Sequence, residues 1–313
     1  MTALATAAER APRGRAVIIS AVGVTIALWA SAFVAIRYAD RQLAPGALAL
    51  GRLLVGSIAL GLLVLIRREP FPSRRDLPGI VVCGVLWFGV YNVSLNAAET
   101  RVDAGTAAML VNVGPILIAI FAGLFLREGF PSRLFAGCLV SFSGAVVIGL
   151  ATSRHGVHAI LGAVLCVLAA FAYAGGVVAQ KPVLRNVSPL MVTWLACTVG
   201  ALSCLPYAGT LVRQLGHAGG STIVWTIYLG VAPTAVGFVT WAYALSRTTA
   251  GRMGSTTYLV PPLALLFGWI FLGEVPPLLV LPGGGLCLAG VALARTSGRL
   301  YRTGRSAPPP AST

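Results

Sequence analysis

The sequence predicts an all-α integral membrane protein with ten transmembrane helices, arranged as two inverted repeats of five helices. Hydrophobic residues make up 57% of the chain and charged residues only 10%, whereas soluble domains carry about 25% charge. Apolar stretches of about 20 residues recur from Ala16 onward, each long enough to cross a hydrocarbon core of about 30 Å as a helix. A block of residues near the middle also recurs near the end.

The repeat is marked by residues that return at one constant spacing. Pro115 and Glu128 recur as Pro261 and Glu274, each pair 146 positions apart. Because each half holds an odd number of predicted helices, the second half starts from the opposite side of the membrane and the repeats are inverted. A duplicated and inverted membrane unit is typical of secondary transporters, whose binding site lies at the repeat interface.

The predicted helices follow one another with short polar breaks, and their boundaries come from the ends of the apolar stretches. They span residues 16–36, 46–66, 77–97, 104–126, 134–151, 159–179, 189–209, 222–244, 253–273 and 278–294.

The chain divides into two repeats and two polar ends. The Arg- and Pro-rich C-terminal end has too little apolar area to fold, so we expect it to be disordered. The predicted units are a cytoplasmic tail at 1–15, a first repeat at 16–151, a second repeat at 159–294 and a cytoplasmic tail at 295–313.

The net charge of +15 would suit a nucleic-acid-binding protein, but its distribution indicates a membrane topology instead. With both tails inside, 17 Lys and Arg residues fall on the cytoplasmic side and 5 on the other, and Arg52 lies within a helix. This bias follows the positive-inside rule. We therefore expect a multi-pass plasma-membrane protein with both termini in the cytoplasm, membrane lipids as partners and no nucleic acid.

The motifs and their order resemble the drug/metabolite transporter superfamily, in particular its EamA-type members with ten helices. The residues that carry the resemblance are Leu28-Trp29-Ala-Ser-Ala-Phe33, Leu50-Gly51-Arg52, Asn112-Val-Gly-Pro115, Phe125-Leu-Arg-Glu128, Tyr258-Leu-Val-Pro-Pro262, Phe271-Leu-Gly-Glu274 and the pair Gly137-x-x-x-Ser141-x-x-Gly144 and Gly283-x-x-x-Cys287-x-x-Gly290.

The resemblance implies a transporter that exports or exchanges a small metabolite by alternating access. Helices 1–4 and 6–9 would then enclose a central cavity, and helices 5 and 10 would lie at the periphery. The small-residue faces of helices 5 and 10 permit close contact within one protomer or between the protomers of a homodimer. Members of the superfamily carry amino acids, drugs, sugars and other compounds, so membership does not identify the substrate.

Two equivalent polar residues are the first candidates for substrate binding. Asn112 and Tyr258 each lie three residues before the shared proline, deep in an apolar helix. A polar group there needs a partner or a cavity. Each side chain therefore either contacts the substrate or forms an interhelical hydrogen bond.

Further candidates lie in helices 1, 3, 6 and 8. We expect Asn92 to face the cavity and the adjacent Tyr91 to face an interface. Trp29 and Tyr173 are candidate walls of the pocket or gate, and Trp241 either lines the pocket or belongs to an interfacial aromatic belt. For each aromatic residue, ordinary packing is the alternative.

Three prolines and one arginine are candidates for hinges or gates. Pro115 and the pair Pro261 and Pro262 interrupt two helices at matching depth, which predicts kinks that allow opening or serve only as static curvature. Arg52 is the charge placed deepest in a helix. It suits a structural or gating role, or a partner for an anionic substrate group.

The sequence lacks the motifs of several other functions, so we expect no enzyme activity, no cofactor and no metal. No P-loop, nucleophile elbow or zincin motif occurs, and His155 and His158 lack a third ligand. No carboxylate lies deep in a helix, where a proton relay is usually found. The alternatives are a membrane-embedded sensor or assembly protein, and a lipid-acting intramembrane enzyme, which would need clustered acids or histidines within helices.

Overall fold

The computed structural model describes residues 2–99, 101, 110–152, 160–273, 275 and 278–296, and within them the regular elements are all helical. Outside the described residues lie the start of the predicted fourth helix, the connection between the repeats, Glu274 and the C-terminal tail beyond 296.

The helices run back and forth along the bundle and are joined by short connections. Their bounds are α1 Thr2–Ala39, α2 Pro45–Arg67, α3 Leu77–Ala98, α4 Gly114–Phe125, α5 Ser132–Thr152, α6 Ile160–Val183, α7 Pro189–Ser203 with Leu205–Leu215, α8 Gly220–Arg247, α9 Ala250–Leu272 and α10 Val280–Thr296.

Length and composition support membrane spans for most of these helices. Six of them, in α1, α2, α3, α6, α8 and α9, are long and apolar enough to cross a membrane, and the bent pair in α7 raises the number to seven. The apolar parts of α4, α5 and α10 that the structure describes are shorter. An all-helical membrane protein is therefore supported, and the full number of ten spans stays a prediction.

Two helices differ most from the predicted boundaries. Helix α1 starts at Thr2, within the segment predicted to be a tail, because its alanines are strong helix formers. Helix α7 was predicted as one piece, but Pro189–Ser203 and Leu205–Leu215 meet at an angle of 52°. Pro206 explains this break, since proline lacks the backbone N–H that would continue the helix.

The two ends of the bundle are named here after one residue at each. At the Lys181 end, Asn186 donates a hydrogen bond to the Asp76 carboxylate at 3.1 Å, which joins the α6–α7 and α2–α3 connections. Hydrogen bonds from Ser73 and Asn186 lower the pKa of the Asp76 carboxyl. At the opposite Gln42 end, the Gln42 amide oxygen accepts from the backbone N–H of Gly219 at 2.8 Å.

The two sequence repeats are interlocked, since every helix of the first packs against helices of the second. The pairs are α1 with α8 and α9, α2 with α7 and α8, α3 with α6 and α7, α4 with α6 and α9, and α5 with α10. The interface between the repeats therefore runs through the whole bundle, where a transporter of this type has its site.

The small-residue faces of α5 and α10 pack on each other within the chain. A Cβ added to Gly137 would lie 2.5 Å from the carbonyl oxygen of Gly290, and one added to Gly144 would lie 2.5 Å from that of Gly283. The Ser141 hydroxyl donates across the same contact to the Cys287 carbonyl at 3.1 Å. These glycines therefore allow close packing within one protomer. The sequence alone was also compatible with close packing between the protomers of a homodimer.

Candidate functional site

A group of aromatic rings fills the centre of the bundle, between helices of both repeats. The rings come from α1, α3, α6 and α8, and neighbouring centroids lie 4.4 to 6.5 Å apart. This aromatic cluster consists of Trp29, Trp87, Phe88, Tyr91, Tyr173, Phe238 and Trp241.

The predicted wall residues Trp29, Tyr173 and Trp241 all belong to the aromatic cluster. Trp29 stacks on Trp241 with centroids 5.1 Å apart and an interplanar angle of 27°. Trp87 lies between Trp241 at 5.4 Å and Tyr173 at 5.2 Å. Trp87 and Trp241 are almost fully buried, so the rings close the centre of the bundle in this conformation.

Two π-helical segments, neither of them predicted from the sequence, position the aromatic cluster. Gly84–Val90 in α3 carries Trp87, and Gly230–Val236 in α8 ends shortly before Phe238. The two segments occupy equivalent positions in the two repeats, because Gly84 corresponds to Gly230 and Val90 to Val236. Pro233, inside the second segment, was the available sequence signal. Single π-turns within helices often occur at functional sites.

The adjacent residues Asn92 and Tyr91 face different surroundings from those expected. The Asn92 side-chain amide donates to the carbonyls of Phe88 at 2.8 Å and Trp87 at 3.3 Å. A π-segment changes the backbone bonding pattern, and the amide compensates for it. The Tyr91 ring lies 5.9 Å from Tyr173. In this structure Asn92 is thus bonded to its own helix, and Tyr91 lies at the aromatic cluster.

The equivalent residues Asn112 and Tyr258 contact one another. The fully buried Tyr258 hydroxyl donates to the Asn112 carbonyl at 3.0 Å, across 146 positions of sequence. On the neighbouring residue, the Thr257 hydroxyl lies 3.5 Å from the hydroxyl of Tyr173, a member of the aromatic cluster. The repeat contact is therefore adjacent to the cluster.

The candidate hinge prolines lie at matching breaks in α4 and α9. Pro115 is in the first turn of Gly114–Phe125, directly after a turn. Pro261 and Pro262 are in the first turn of Val260–Leu272, directly after a 3₁₀ turn. Proline is well tolerated in a first helical turn. The breaks predicted from the duplicated prolines are present as interruptions of regular α-helix.

Arg52 joins α2 to the π-segment of α8. Its Nε and Nη2 atoms donate to the Thr234 hydroxyl at 3.1 and 3.0 Å. Among the described residues, no carboxylate forms an ion pair with this guanidinium. The contact ties two helices from different repeats together near the aromatic cluster.

Two charged side chains close the Lys181 end by capping the connection between α8 and α9. The Lys181 ammonium donates to the carbonyls of Leu245 and Thr248 at the end of α8. The Glu128 carboxylate accepts from the N–H of Ala250 at 2.8 Å and from the next residue at 3.2 Å. A cation at the end of a helix and an anion at its start are both favoured by the helix dipole.

Among the residues that the structure describes, two buried side chains have polar atoms without a hydrogen-bond partner. Gln180 is completely buried in α6, and neither its amide oxygen nor its amide nitrogen is bonded. The indole nitrogen of the completely buried Trp241 is also unpaired. The sequence analysis did not select Gln180, although a glutamine within an apolar helix was a visible signal.

Comparison with protein families gives one match that covers the chain twice. The profile of the EamA-like transporter family matches residues 16–150 and again residues 160–296. The two matches coincide with the two repeats.

Curated relatives cover most of the chain. A protein of Streptantibioticus cattleyicolor named "Probable terminal-alkyne amino-acid exporter" is 39% identical over 89% of this chain and 94% of the relative. The "Uncharacterized transporter YdfC" of Bacillus subtilis is 32% identical over 85% and 87%. A solved structure at 21% identity aligns with a TM-score of 0.74 over 92% of this chain and 99% of the other, which shows a shared fold.

Proposed function

The chain belongs to the EamA-like transporter family, and on this premise we propose that it exports an amino-acid-type metabolite by alternating access. The observation that carries the proposal is the direct contact of the equivalent residues Tyr258 and Asn112 beside the aromatic cluster. Through this contact the two repeats meet next to the aromatic cluster, in the middle of the bundle. Such an arrangement suits a binding site that opens to each side of the membrane in turn.

The substrate class follows from a relative and from the chemistry of the centre. The relative that is 39% identical carries the name "Probable terminal-alkyne amino-acid exporter". Trp29, Tyr173 and Trp241 offer apolar ring faces to the side chain of such a substrate. Asn112 and Tyr258, and Asn92 after release from its own helix, offer hydrogen-bonding groups beside these rings.

The moving parts are the breaks and contacts that join the repeats. The breaks at Pro115 and at Pro261 and Pro262 act as hinges of α4 and α9. The bond from Arg52 to Thr234 gates the movement of α2 against α8. Opening of the Lys181 end requires release of the contacts that Glu128 and Lys181 make.

We propose that α4, α5 and α10 complete ten spans and that the Lys181 end faces the cytoplasm. Basic residues at that end outnumber those at the Gln42 end, which supports this orientation. Cysteines placed at Ser73 and at Arg41 test it in intact cells. An impermeant maleimide should label the second and spare the first, and the reverse pattern would contradict the orientation.

The direct test is counterflow in liposomes that hold the purified protein. Vesicles loaded with an unlabelled amino acid should accumulate the same labelled amino acid from outside, without any imposed ion gradient. Ile58→Ala, at a side chain that is 63% exposed, should behave like the unmodified protein. Arg52→Ala should lower the rate at equal protein content. No accumulation by folded protein with any pool of amino acids would contradict the proposal.

Two other functions were compatible with the sequence alone: a sensor or assembly protein and a lipid-acting enzyme. The curated relatives reported above carry the names of transporters, which favours transport. Counterflow also separates these alternatives, because neither of them predicts exchange of a solute across the bilayer.

A further inference from the structure

The side-chain amide of Gln180 is completely buried and has no hydrogen-bond partner among the described residues. Both polar atoms of its amide are buried and unpaired, and the same holds for the indole nitrogen of Trp241. Other buried polar side chains in the described residues are satisfied: Thr226, for example, donates to the Thr222 carbonyl at 2.8 Å. Three unpaired atoms on two residues, one in α6 and one in α8, therefore differ from the other buried polar atoms of the described residues.

The position of Gln180 on α6 places it at the edge of the aromatic cluster. Tyr173, Gly176 and Gln180 are separated by three and four residues, so they follow one face of the helix. Tyr173 belongs to the cluster, and a Cβ on Gly176 would lie 2.6 Å from the Cβ of Trp87. Gln180 lies about one turn beyond Gly176, toward the Lys181 end.

Trp241 approaches the same region from α8. Leu245 lies four residues after Trp241, about one turn closer to the Lys181 end. The Leu245 carbonyl accepts a hydrogen bond from Lys181, the residue that follows Gln180. The unpaired indole N–H thus belongs to a ring of the aromatic cluster, and the unpaired amide lies between this cluster and the closed end of the bundle.

The energetics argue against a purely structural role for Gln180. A buried amide without partners is destabilising relative to an apolar side chain of similar size. Leucine would fill a similar volume in α6 without unpaired atoms. A residue that lowers stability in this way is expected at a functional site, because its unpaired polar atoms become hydrogen-bonded when the ligand binds.

We propose that Gln180 and Trp241 form a polar subsite that binds the α-amino and α-carboxylate groups of the transported amino acid. This inference rests on the proposed function and identifies the part of the site that selects the head group. The Gln180 amide N–H and the Trp241 indole N–H donate to the carboxylate, and the Gln180 amide oxygen accepts from the ammonium. The rings of the aromatic cluster then contact the apolar side chain of the substrate.

The location also assigns the subsite to one stage of transport. Lys181 and Glu128 hold the α8–α9 connection that closes this end. Release of these contacts opens a path into the bundle from the Lys181 end. A substrate on this path meets Gln180 before it meets the far side of the aromatic cluster. The subsite therefore binds the head group first when the substrate enters from the Lys181 end.

The experiment compares stability and transport for Gln180→Leu. Without substrate, the variant should unfold at a higher temperature than the unmodified protein, because it removes unpaired buried atoms. In counterflow its KM for the amino acid should rise about tenfold or more, the loss expected for hydrogen bonds to a charged group. Thr226→Val, at a buried hydroxyl that is already bonded, should leave KM unchanged and should not raise stability.

A second measurement uses the methyl ester of the same amino acid, which lacks the carboxylate. The unmodified protein should prefer the acid over the ester. Gln180→Leu should reduce this preference, because esterification of the substrate and substitution of Gln180 remove the same hydrogen bond to the carboxylate. A lower unfolding temperature for Gln180→Leu, or exchange with unchanged KM and unchanged preference, would overturn the subsite alone. Absence of amino-acid exchange by the unmodified protein would overturn the proposed function as well.

Discussion

The hydroxyl of Tyr258 donates a hydrogen bond to the backbone carbonyl of Asn112 at 3.0 Å, and the two residues occupy the same position in the two repeats. Ser141 and Cys287, another equivalent pair, also contact each other, with the Ser141 hydroxyl 3.1 Å from the Cys287 carbonyl. Equivalent residues contact one another beside a two-fold axis. An approximate two-fold axis therefore relates the repeats and passes through both contacts.

Tyr258→Phe should weaken the join between the repeats. The change removes one buried hydrogen bond and leaves the Asn112 carbonyl without this donor, so we expect a stability loss on the order of 1 kcal/mol. Thermal unfolding in detergent measures the effect. Tyr38→Phe is the matched control, because the Tyr38 ring stacks on Trp225 and the described residues give its hydroxyl no partner. Equal unfolding temperatures for the two variants would contradict this role of Tyr258.

Pro115→Ala and Pro261→Ala should each slow transport more than they reduce the amount of protein in the membrane. Alanine restores one backbone N–H at each break, fully at Pro115 and in part at Pro261, where Pro262 remains, so the hinge becomes stiffer. Initial counterflow rates at equal protein content measure the effect, with KM determined separately. Normal turnover in both variants would remove the hinge role and leave static breaks.

The duplicated prolines show how far the sequence could predict this fold. The spacing that relates Pro115 to Pro261 predicted two repeats, and the contact between Asn112 and Tyr258 agrees with that alignment. The bend of α7 was missed, although Pro206 lies at the break. A proline in a membrane helix is compatible with either a kink or a straight helix, and tertiary packing decides which one forms.

Glu128→Gln should loosen the Lys181 end. The carboxylate caps the first N–H groups of α9, and loss of its charge removes the favourable interaction with the helix dipole. In a background without native cysteines, maleimide should react faster with a cysteine at Ala250 when Gln replaces Glu128. Glu69→Gln is the control, because this carboxylate lies at the same end and has no hydrogen-bond partner among the described residues. Equal reaction rates in all three proteins would show that Glu128 does not hold this end closed.

Gly290→Ala should destabilise the protein through the contact between α5 and α10. A Cβ at this position would meet the backbone N of Ser141 at 2.4 Å, so the helices must separate. Gly285→Ala on the same helix is the control, because a Cβ there has no atom within 4 Å. The unfolding temperature should fall for the first variant alone. An equal change in both would mean that helix propensity, and not close packing, determines the result.

The candidate site was less predictable than the fold. Trp29, Tyr173 and Trp241 are candidate walls of a pocket or gate from the sequence, with an aromatic belt as the alternative for Trp241, and the structure brings their rings together. Trp87 and Phe238 complete the same cluster because of π-helical segments, which have no reliable sequence signature. The unpaired state of Gln180 depends on which neighbours the fold brings to it, and a single sequence does not contain that information.

Alternating access between the two ends of the bundle is the central claim, and distances between spin labels test it most directly. One pair replaces Arg127 and Arg252 at the Lys181 end, and the other replaces Arg101 and Val275 at the Gln42 end. In liposomes, a saturating amount of the exchanged amino acid should shift the two distance distributions in opposite directions, because one end opens as the other closes. Shifts in the same direction, or none in protein that performs counterflow, would contradict the account.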